Sequence, residues 1–379
     1  MKDINFNGKI SPSYSFYKNN EKIITNQNAN LSHRNSLDKK TNTYDTNDFR
    51  NKTNDFQLSY SSINAFYFNR KFFIETNLFV NLHYARSNKD YETDNTFIHN
   101  KMNNTNLRMD ILTGKGRIEP VGDVRLAVYI LEDLYKTGHL KEIPDNELIT
   151  EFAELISKIK NERFFDFRIK EIKEIEAIDS FLQKNNLITE INARYFASFI
   201  DNWRYSNQPQ RASGKKFYIG LTPEIEFYHN KDDYQNLNPV DFFPSDYHWN
   251  TYNIDAKVGY VNEKSLNLYW QQGYRAEILF GYEKKVGKDK LIKDENLNLN
   301  ANASYFISYY PNSRTRISTV YSIFYYYESN SRFNEELKPV KKYFTLSPNF
   351  RTNIDYYLSP QLRLNLYYSL NYNYSNSEI

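Results

Sequence analysis

The chain has 379 residues, no Cys, 17% aromatics with 34 Tyr and 27 Phe, and a net charge of +3. That length allows two or more domains, and the absence of Cys excludes a disulfide framework and thiol chemistry. Mean hydropathy is −0.76, and no run approaches the roughly 20 apolar residues of a membrane helix.

Period-two alternation at both ends of the chain predicts about twelve strands. The first, residues 4–17, puts Ile4, Phe6, Ile10, Tyr14 and Phe16 on one face. A turn at Lys18-Asn19-Asn20-Glu21 leads to a weaker strand through Ile23, Thr25, Ala29 and Leu31. Residues 33–54, rich in Asn, Thr, Asp and Lys, read as a long loop. Strand three, residues 55–68, keeps Phe56, Leu58 and Tyr60 in phase, then slips near Ser61-Ser62, which predicts a bulge. Strand four alternates cleanly from Phe72 to Tyr84, and residues 87–103 read as a second polar loop. Strand five carries Leu107, Met109 and Ile111 to Gly114-Lys115-Gly116-Arg117.

There the period becomes helical. Asp123 stands at an N-cap position, Val124, Ala127, Val128, Leu131, Leu134 and Tyr135 follow on one stripe, and Gly138 closes the helix as a C′ residue. A second helix starts after Pro144-Asp145 with Leu148, Phe152, Leu155, Ile156 and Ile159. A third spans residues 166–183 through Ile169, Ile172, Ile175, Ile178 and Leu182. A fourth spans 189–205 with Ile191, Tyr195, Phe199 and Trp203. Each has one apolar stripe, so the four should form a small bundle. Residues 121–205 hold 12 Lys+Arg and 16 Asp+Glu, a net of −4, against +7 for the remainder. Glu162, Lys170, Glu171, Lys173, Glu174 and Glu176 read as the solvated face of helix three.

Alternation resumes with strand six through Phe217, Ile219, Leu221, Ile225 and Phe227. Strand seven follows through Tyr252 to Tyr260, a turn at residues 262–265, and strand eight from Leu266 to Tyr282. Strands nine, ten and eleven run through Leu297–Tyr309, Ile317–Tyr327 and Leu346–Leu358. In the twelfth, Leu362, Leu364, Leu366, Tyr368, Leu370, Tyr372 and Tyr374 oppose Arg363, Asn365, Ser369, Asn371 and Asn373.

Low hydropathy, abundant Tyr and Asn, and period-two alternation suit a membrane β-barrel, whose polar face lines the lumen and whose interfaces carry aromatic girdles. Connections after strands one, three, seven, nine and eleven are short, and those after two, four, six and ten are long and polar. Over residues 4–114 and 215–374 the chain resembles the porin-like outer-membrane β-barrels in architecture. The resemblance implies the outer membrane of a Gram-negative cell, short turns and helical insert in the periplasm, and both chain ends outside. One further strand at each end would bring the barrel to about fourteen. Residues 1–6 enter the alternating pattern without a secretory leader, as expected of a fragment or mature form. The domain division expected is 1–116 and 214–379 for the barrel, with 117–213 as a periplasmic helical insert. A soluble sandwich is the alternative fold.

Gly114-Lys115-Gly116-Arg117 lacks the spacing and strand–loop–helix context of a phosphate loop, and the two glycines are expected to let the chain leave the wall. His33, His83, His99, His139, His229 and His248 show no metal-ligand spacing. No catalytic activity, cofactor, metal or nucleic acid is expected. The candidate lumen residues are Glu224, Glu226, Arg275, Glu277, Arg314, Arg316, Arg351, Asp355 and Arg363, all on polar phases, where they would tune selectivity or brace the wall. The partners expected are outer-membrane lipid and small solutes. A scaffold reading would add a periplasmic protein partner.

Overall fold

The computed structural model describes residues 2–41, 49–69, 71–91, 96–161, 167–204, 211–235, 245–287, 293–329, 342–359 and 362–378. The chain is mainly β, with all described strands in one large antiparallel sheet and four helices inserted midway. The first edge strand is broken at Ser11-Pro12 into β1 (Lys2–Ile10) and β2 (Ser13–Asn19). Both pair with β3 (Ile23–Thr41). A meander follows through β4 (Phe49–Phe68), β5 (Phe72–Tyr91) and β6 (Thr96–Pro120). After the helices, β7 (Ala212–Gln235) pairs with β6, and β8 (Ser245–Ser265), β9 (Trp270–Gly287), β10 (Lys293–Asn312), β11 (Thr315–Ser329) and β12 (Lys342–Tyr357) continue in order. The last edge is again broken, at Tyr372-Asn373, into β13 (Arg363–Asn371) and β14 (Tyr374–Glu378), both on β12. Among the described residues no ladder joins the first strand to the last.

The strands are longer than the apolar alternation suggests. Residues 33–41 and 49–54 lie in β3 and β4, and residues 87–91 and 96–103 in β5 and β6. Asn, Thr, Asp and Lys carry no apolar phase there, yet their backbones pair with neighbouring strands. Residues 42–48 and 92–95 lie outside the described residues. The bulge expected at Ser61-Ser62 is absent, because both ladders of β4 run through it without a register shift. Instead the polarity inverts in place. Ser62 and Asn64 fall on the apolar face, where Thr25 donates to Asn64 at 2.5 Å and Asn64 to Ser62 at 2.7 Å. Ile63 falls on the polar face.

The expected turn at residues 262–265 belongs to β8. The connection is residues 266–269, where Asn267 Oδ1 accepts the backbone N–H groups of Tyr269 and Trp270. Nor does β6 end at Gly116. It runs on to Pro120, and the helices begin only after Val121. Gly116 has φ +104°, and a Cβ there would collide with the Lys215 carbonyl oxygen of β7. Its glycine requirement is therefore close strand approach rather than chain exit.

The four helices are α1 (Gly122–Lys136), α2 (Asn146–Asn161), α3 (Phe167–Lys184) and α4 (Ala193–Arg204). The N-cap of α1 is Val121, without a side-chain cap, and Asp123 sits in the first turn, 2.7 Å from Lys160 Nζ. Gly138, at φ +76°, ends α1 in a Schellman motif: His139 N–H bonds Leu134 O and Gly138 N–H bonds Tyr135 O. Asp145 Oδ1 caps α2 through Leu148 N–H at 2.9 Å, and Asn192 Oδ1 caps α4. One apolar core joins Ala127, Ile130, Leu131 and Leu134 to Phe152, Ile156, Ile178, Leu182, Tyr195 and Phe199. Among the described residues it contains no strand residue. Val124, Tyr135, Ile172 and Ile191 are exposed, which corrects their place on the stripes. Glu174 is buried rather than solvated, because Trp203 Nε1 donates to it at 2.8 Å. Glu162, Asp166 and Tyr205 lie outside the described residues, and no side chain is described at Ile169.

Candidate functional site: the polar face and the insert root

The period-two pattern sorts side chains onto two faces, and the exposures are inverted relative to a water-soluble sheet. Ile278 is 47% exposed and Leu366 55%, while Lys257 is 8% and Asp355 0% exposed. The polar face is curled. Three strand steps separate β6 from β3, about 14 Å if flat, yet the Arg117 guanidinium donates to Asn20 O and Glu21 O beside β3, both at 2.8 Å.

At the centre of this face, strands β5 to β9 contribute one ion-pair network. Lys257 bridges Asp110 at 3.2 Å and Glu277 at 3.1 Å. Tyr218 donates to Glu277 at 2.6 Å, and Lys216 pairs with Glu75. Asn77 donates to Glu75 at 3.1 Å and to Asp110 at 3.2 Å. Opposite Pro223, which has no N–H, the β6–β7 ladder is interrupted, and Thr222 bonds Asp110 by side chain instead at 3.0 Å. Buried charges of this kind are tolerated only when paired and hydrogen-bonded. Toward the short-turn end the same face carries an apolar cluster of Ala65, Tyr67, Phe73, Leu112, Tyr218 and Val261. Arg117 and Lys216 cap it, each 4.6 Å from an aromatic ring centre, Tyr67 and Phe73 respectively.

Eight of the nine residues predicted from sequence project from strands on the polar phase, in separate groups. Glu224 accepts from Asn106 at 2.6 Å and Glu226 from Asn104 at 3.2 Å, while Glu277 joins the central network. Arg275 faces Val261 and Ser304 across its two ladders. On β11 to β13, Arg316 and Arg363 flank the buried Asp355, which accepts from Asn365 at 2.6 Å and pairs with Arg363, and Arg351 lies on β12, one strand step in from the edge formed by β13, opposite Ser369. Arg314 departs from the expectation. It lies in the β10–β11 turn and pairs with Asp201 of α4. Sequence reasoning missed Glu75, Lys216, Tyr218 and Lys257. Their polar phase was visible in the sequence, but which of them meet depends on strand neighbours.

The insert is rooted on the rim that carries the short turns. Arg211 is buried, donating to the carbonyls of Asn267 and Trp270 at 2.7 Å each and to that of Leu268 at 2.5 Å. Tyr310, at the end of β10, lies between the guanidiniums of Arg125 at 4.8 Å and Arg211 at 5.2 Å. Tyr129 of α1 donates to Tyr310 O at 3.0 Å, and burial pushes its phenol up to about 12. Burial lowers the pKa of both guanidiniums, and Arg125 lowers that of Arg211 further. Face-on stacking and carbonyl acceptors thus take the place of carboxylates here.

His229 and His248 face each other across β7 and β8 with ring centres 5.5 Å apart, and His229 bonds Asp246 at 2.9 Å, a proximity that spacing did not reveal. His139 is buried in the insert between Thr137 and Asn192. Among the described residues no three His, Asp or Glu side chains are arranged to hold a metal. No protein-family model matches the chain, and no curated protein matches it closely enough to indicate a relationship.

Proposed function

We propose that the chain is a porin-like outer-membrane β-barrel protein that forms an aqueous path for small solutes, with its helical bundle in the periplasm. One observation carries this reading: a single sheet turns its charges inward and its Leu, Ile, Phe and Tyr outward. In water, exposing so many large apolar side chains forfeits about 1.5–3 kcal/mol each. In lipid the same arrangement is favourable, and the buried ion pairs gain a sheltered, solvated interior. The described strands form one sheet, which argues against a two-sheet sandwich covering that apolar face.

The short turns share one rim with the insert, and the β1 and β14 ends lie at the other. Short turns in such barrels face the periplasm, which supports reading the insert as periplasmic. The role is non-enzymatic: the polar-face charges act by selecting solutes electrostatically. Purification tests the class. Detergent-dependent solubility and heat-modifiable gel migration are expected, and a chain that stays monodisperse without detergent overturns the reading. Planar-bilayer conductance then tests the path.

A second reading is favoured by Lys257 and its partners, which occupy part of the polar face, and by the bundle anchored on the rim. In it the barrel is a closed anchor presenting the helices to a periplasmic protein partner. No conductance from folded protein would select that reading. Deleting residues 120–206 behind a Gly/Ser bridge should leave the barrel assembled, and a large rise in conductance would identify the insert as a plug.

A further inference from the structure

On the polar face, β8, β9 and β10 bring two rows of oxygen-bearing side chains together. Asp255, Gly281 and Asn298 are ladder partners in one row, and Asn253, Glu283 and Asn296 in the next. The rows lie about 7 Å apart, the spacing of same-face residues on a strand. Asp255, Asn296 and Asn298 are only 5%, 6% and 7% exposed. Their Oδ1 atoms, and that of Asn253, are buried and accept no hydrogen bond. Two of the amides are oriented by their donors: Asn253 Nδ2 donates to Asp255 Oδ2 at 3.0 Å, and Asn296 Nδ2 to Glu328 at 2.8 Å. Their carbonyl oxygens must therefore point elsewhere.

Gly281 makes the convergence possible. A Cβ there would overlap Asp255 Oδ1 and come within 2.6 Å of Asn298 Oδ1. Both oxygens therefore lean into the space above one backbone position, close enough together to ligate one ion. Buried acceptors without donors are costly and rare in native proteins. Arg108 on β6, two strand steps from β8, is paired with Asp110 at 3.4 Å.

We propose that Asp255 and Asn298, over Gly281, form with Asn253, Asn296 and Glu283 a binding site for a hard divalent cation of the Ca²⁺ class. The donors are all oxygen: two carboxylates and neutral amide carbonyls. Ca²⁺ takes six to eight such ligands at about 2.3–2.6 Å in irregular geometry. Without nitrogen or sulfur donors the set does not suit zinc or copper. The ion ties three adjacent strands together on the polar face. The site requires only the fold described and not solute conduction, so it can stand or fail apart from the function proposed above.

The test is calorimetric titration of the full-length folded protein with Ca²⁺, backed by Tb³⁺ luminescence sensitised by the tryptophans. One saturable site is expected. Asp255→Asn should weaken it at least tenfold, and Gly281→Ala, which fills the space with a methyl group, should do the same. Asn298→Asp adds a carboxylate at nearly constant volume and should tighten binding about tenfold. Glu190→Gln, exposed in the insert, should leave binding unchanged. Folding of each variant is checked by circular dichroism, and Asn298→Asp decides alone if the two weakening variants do not fold. The assignment is overturned by wild-type protein with no saturable site, or by Asp255→Asn binding like wild type. Weaker or unchanged binding in folded Asn298→Asp, or a response to Na⁺ or K⁺ but not Ca²⁺, overturns it equally.

Discussion

In the helical insert, Phe152, Ile156, Tyr195 and Phe199 are shielded from solvent while Glu147 and Glu151 are exposed. In the sheet, Ile278, Phe280, Leu364 and Leu366 are exposed while Glu75, Asp110, Lys257 and Asp355 are buried. One chain thus contains two opposite partitions of the same residue types. The bundle is arranged for water around an apolar core. The sheet is arranged the other way, with charges buried on one face and large apolar side chains exposed on the other, a difference that mean hydropathy does not register. Average composition reports how many apolar residues exist, and only their periodicity reports which side they face.

The contrast can be broken at its strongest points first. Phe199→Ala should remove a ring from the bundle core and cost about 3–5 kcal/mol. Denaturant unfolding of the insert reports it, and heat-modifiable migration of the sheet should not change. Lys257→Met should cost a similar amount, about 3–5 kcal/mol, because it strands Asp110 and Glu277 without their cation. Here the sheet should respond and the insert should not, which thermal melts followed separately at helical and strand wavelengths would show. Ile278→Arg sharpens the question of what surrounds the apolar face. In lipid it should cost about 2–4 kcal/mol, measured as a lower urea midpoint for unfolding of the sheet in bilayers. A neutral or stabilising outcome would point to water on that face.

Smaller effects test the joint between the regions. Arg211→Lys keeps one charge but loses the fork that reaches three carbonyls, and should cost about 1–3 kcal/mol locally. Hydrogen exchange at residues 267–270 should accelerate while the bundle core stays protected. The mildest test is pH. Burial and a hydrogen bond to Asp179 at 2.8 Å raise the Tyr195 phenol well above its ordinary value. A raised folded-state pKa gives stability that is whole below the unfolded pKa of about 10 and is lost as pH rises beyond it. The insert should therefore keep its thermal midpoint from pH 7 to 9.5 and lose it above about pH 10, and Tyr195→Phe should flatten that decline.

Much of this was legible in the sequence because period two and period 3.6 are properties of the backbone itself. The run from Leu362 to Tyr374 states both faces of its strand, and Phe152 and Ile156 state the buried side of α2. Strand number, helix number, Gly138 as a helix end and the shared rim of the short turns all followed from such patterns. Tertiary structure decided the rest. Ser61-Ser62 looked like a bulge because polarity changed phase, yet the backbone ladder continues unbroken, and the hydrogen bonds from Thr25 to Asn64 and from Asn64 to Ser62 accommodate the change. Glu174 looked solvated until Trp203 supplied its donor from another helix. Arg314 shared a polar phase with Arg316 but left it for a turn and an acidic partner in α4. Lys257 gains its meaning from Asp110, 147 positions away, and the Asp255 and Asn298 oxygens meet because Gly281 lies between them on another strand. Alternation assigns each side chain to a face locally. Register and curvature assign it a neighbour, and those are set by pairings across the whole chain.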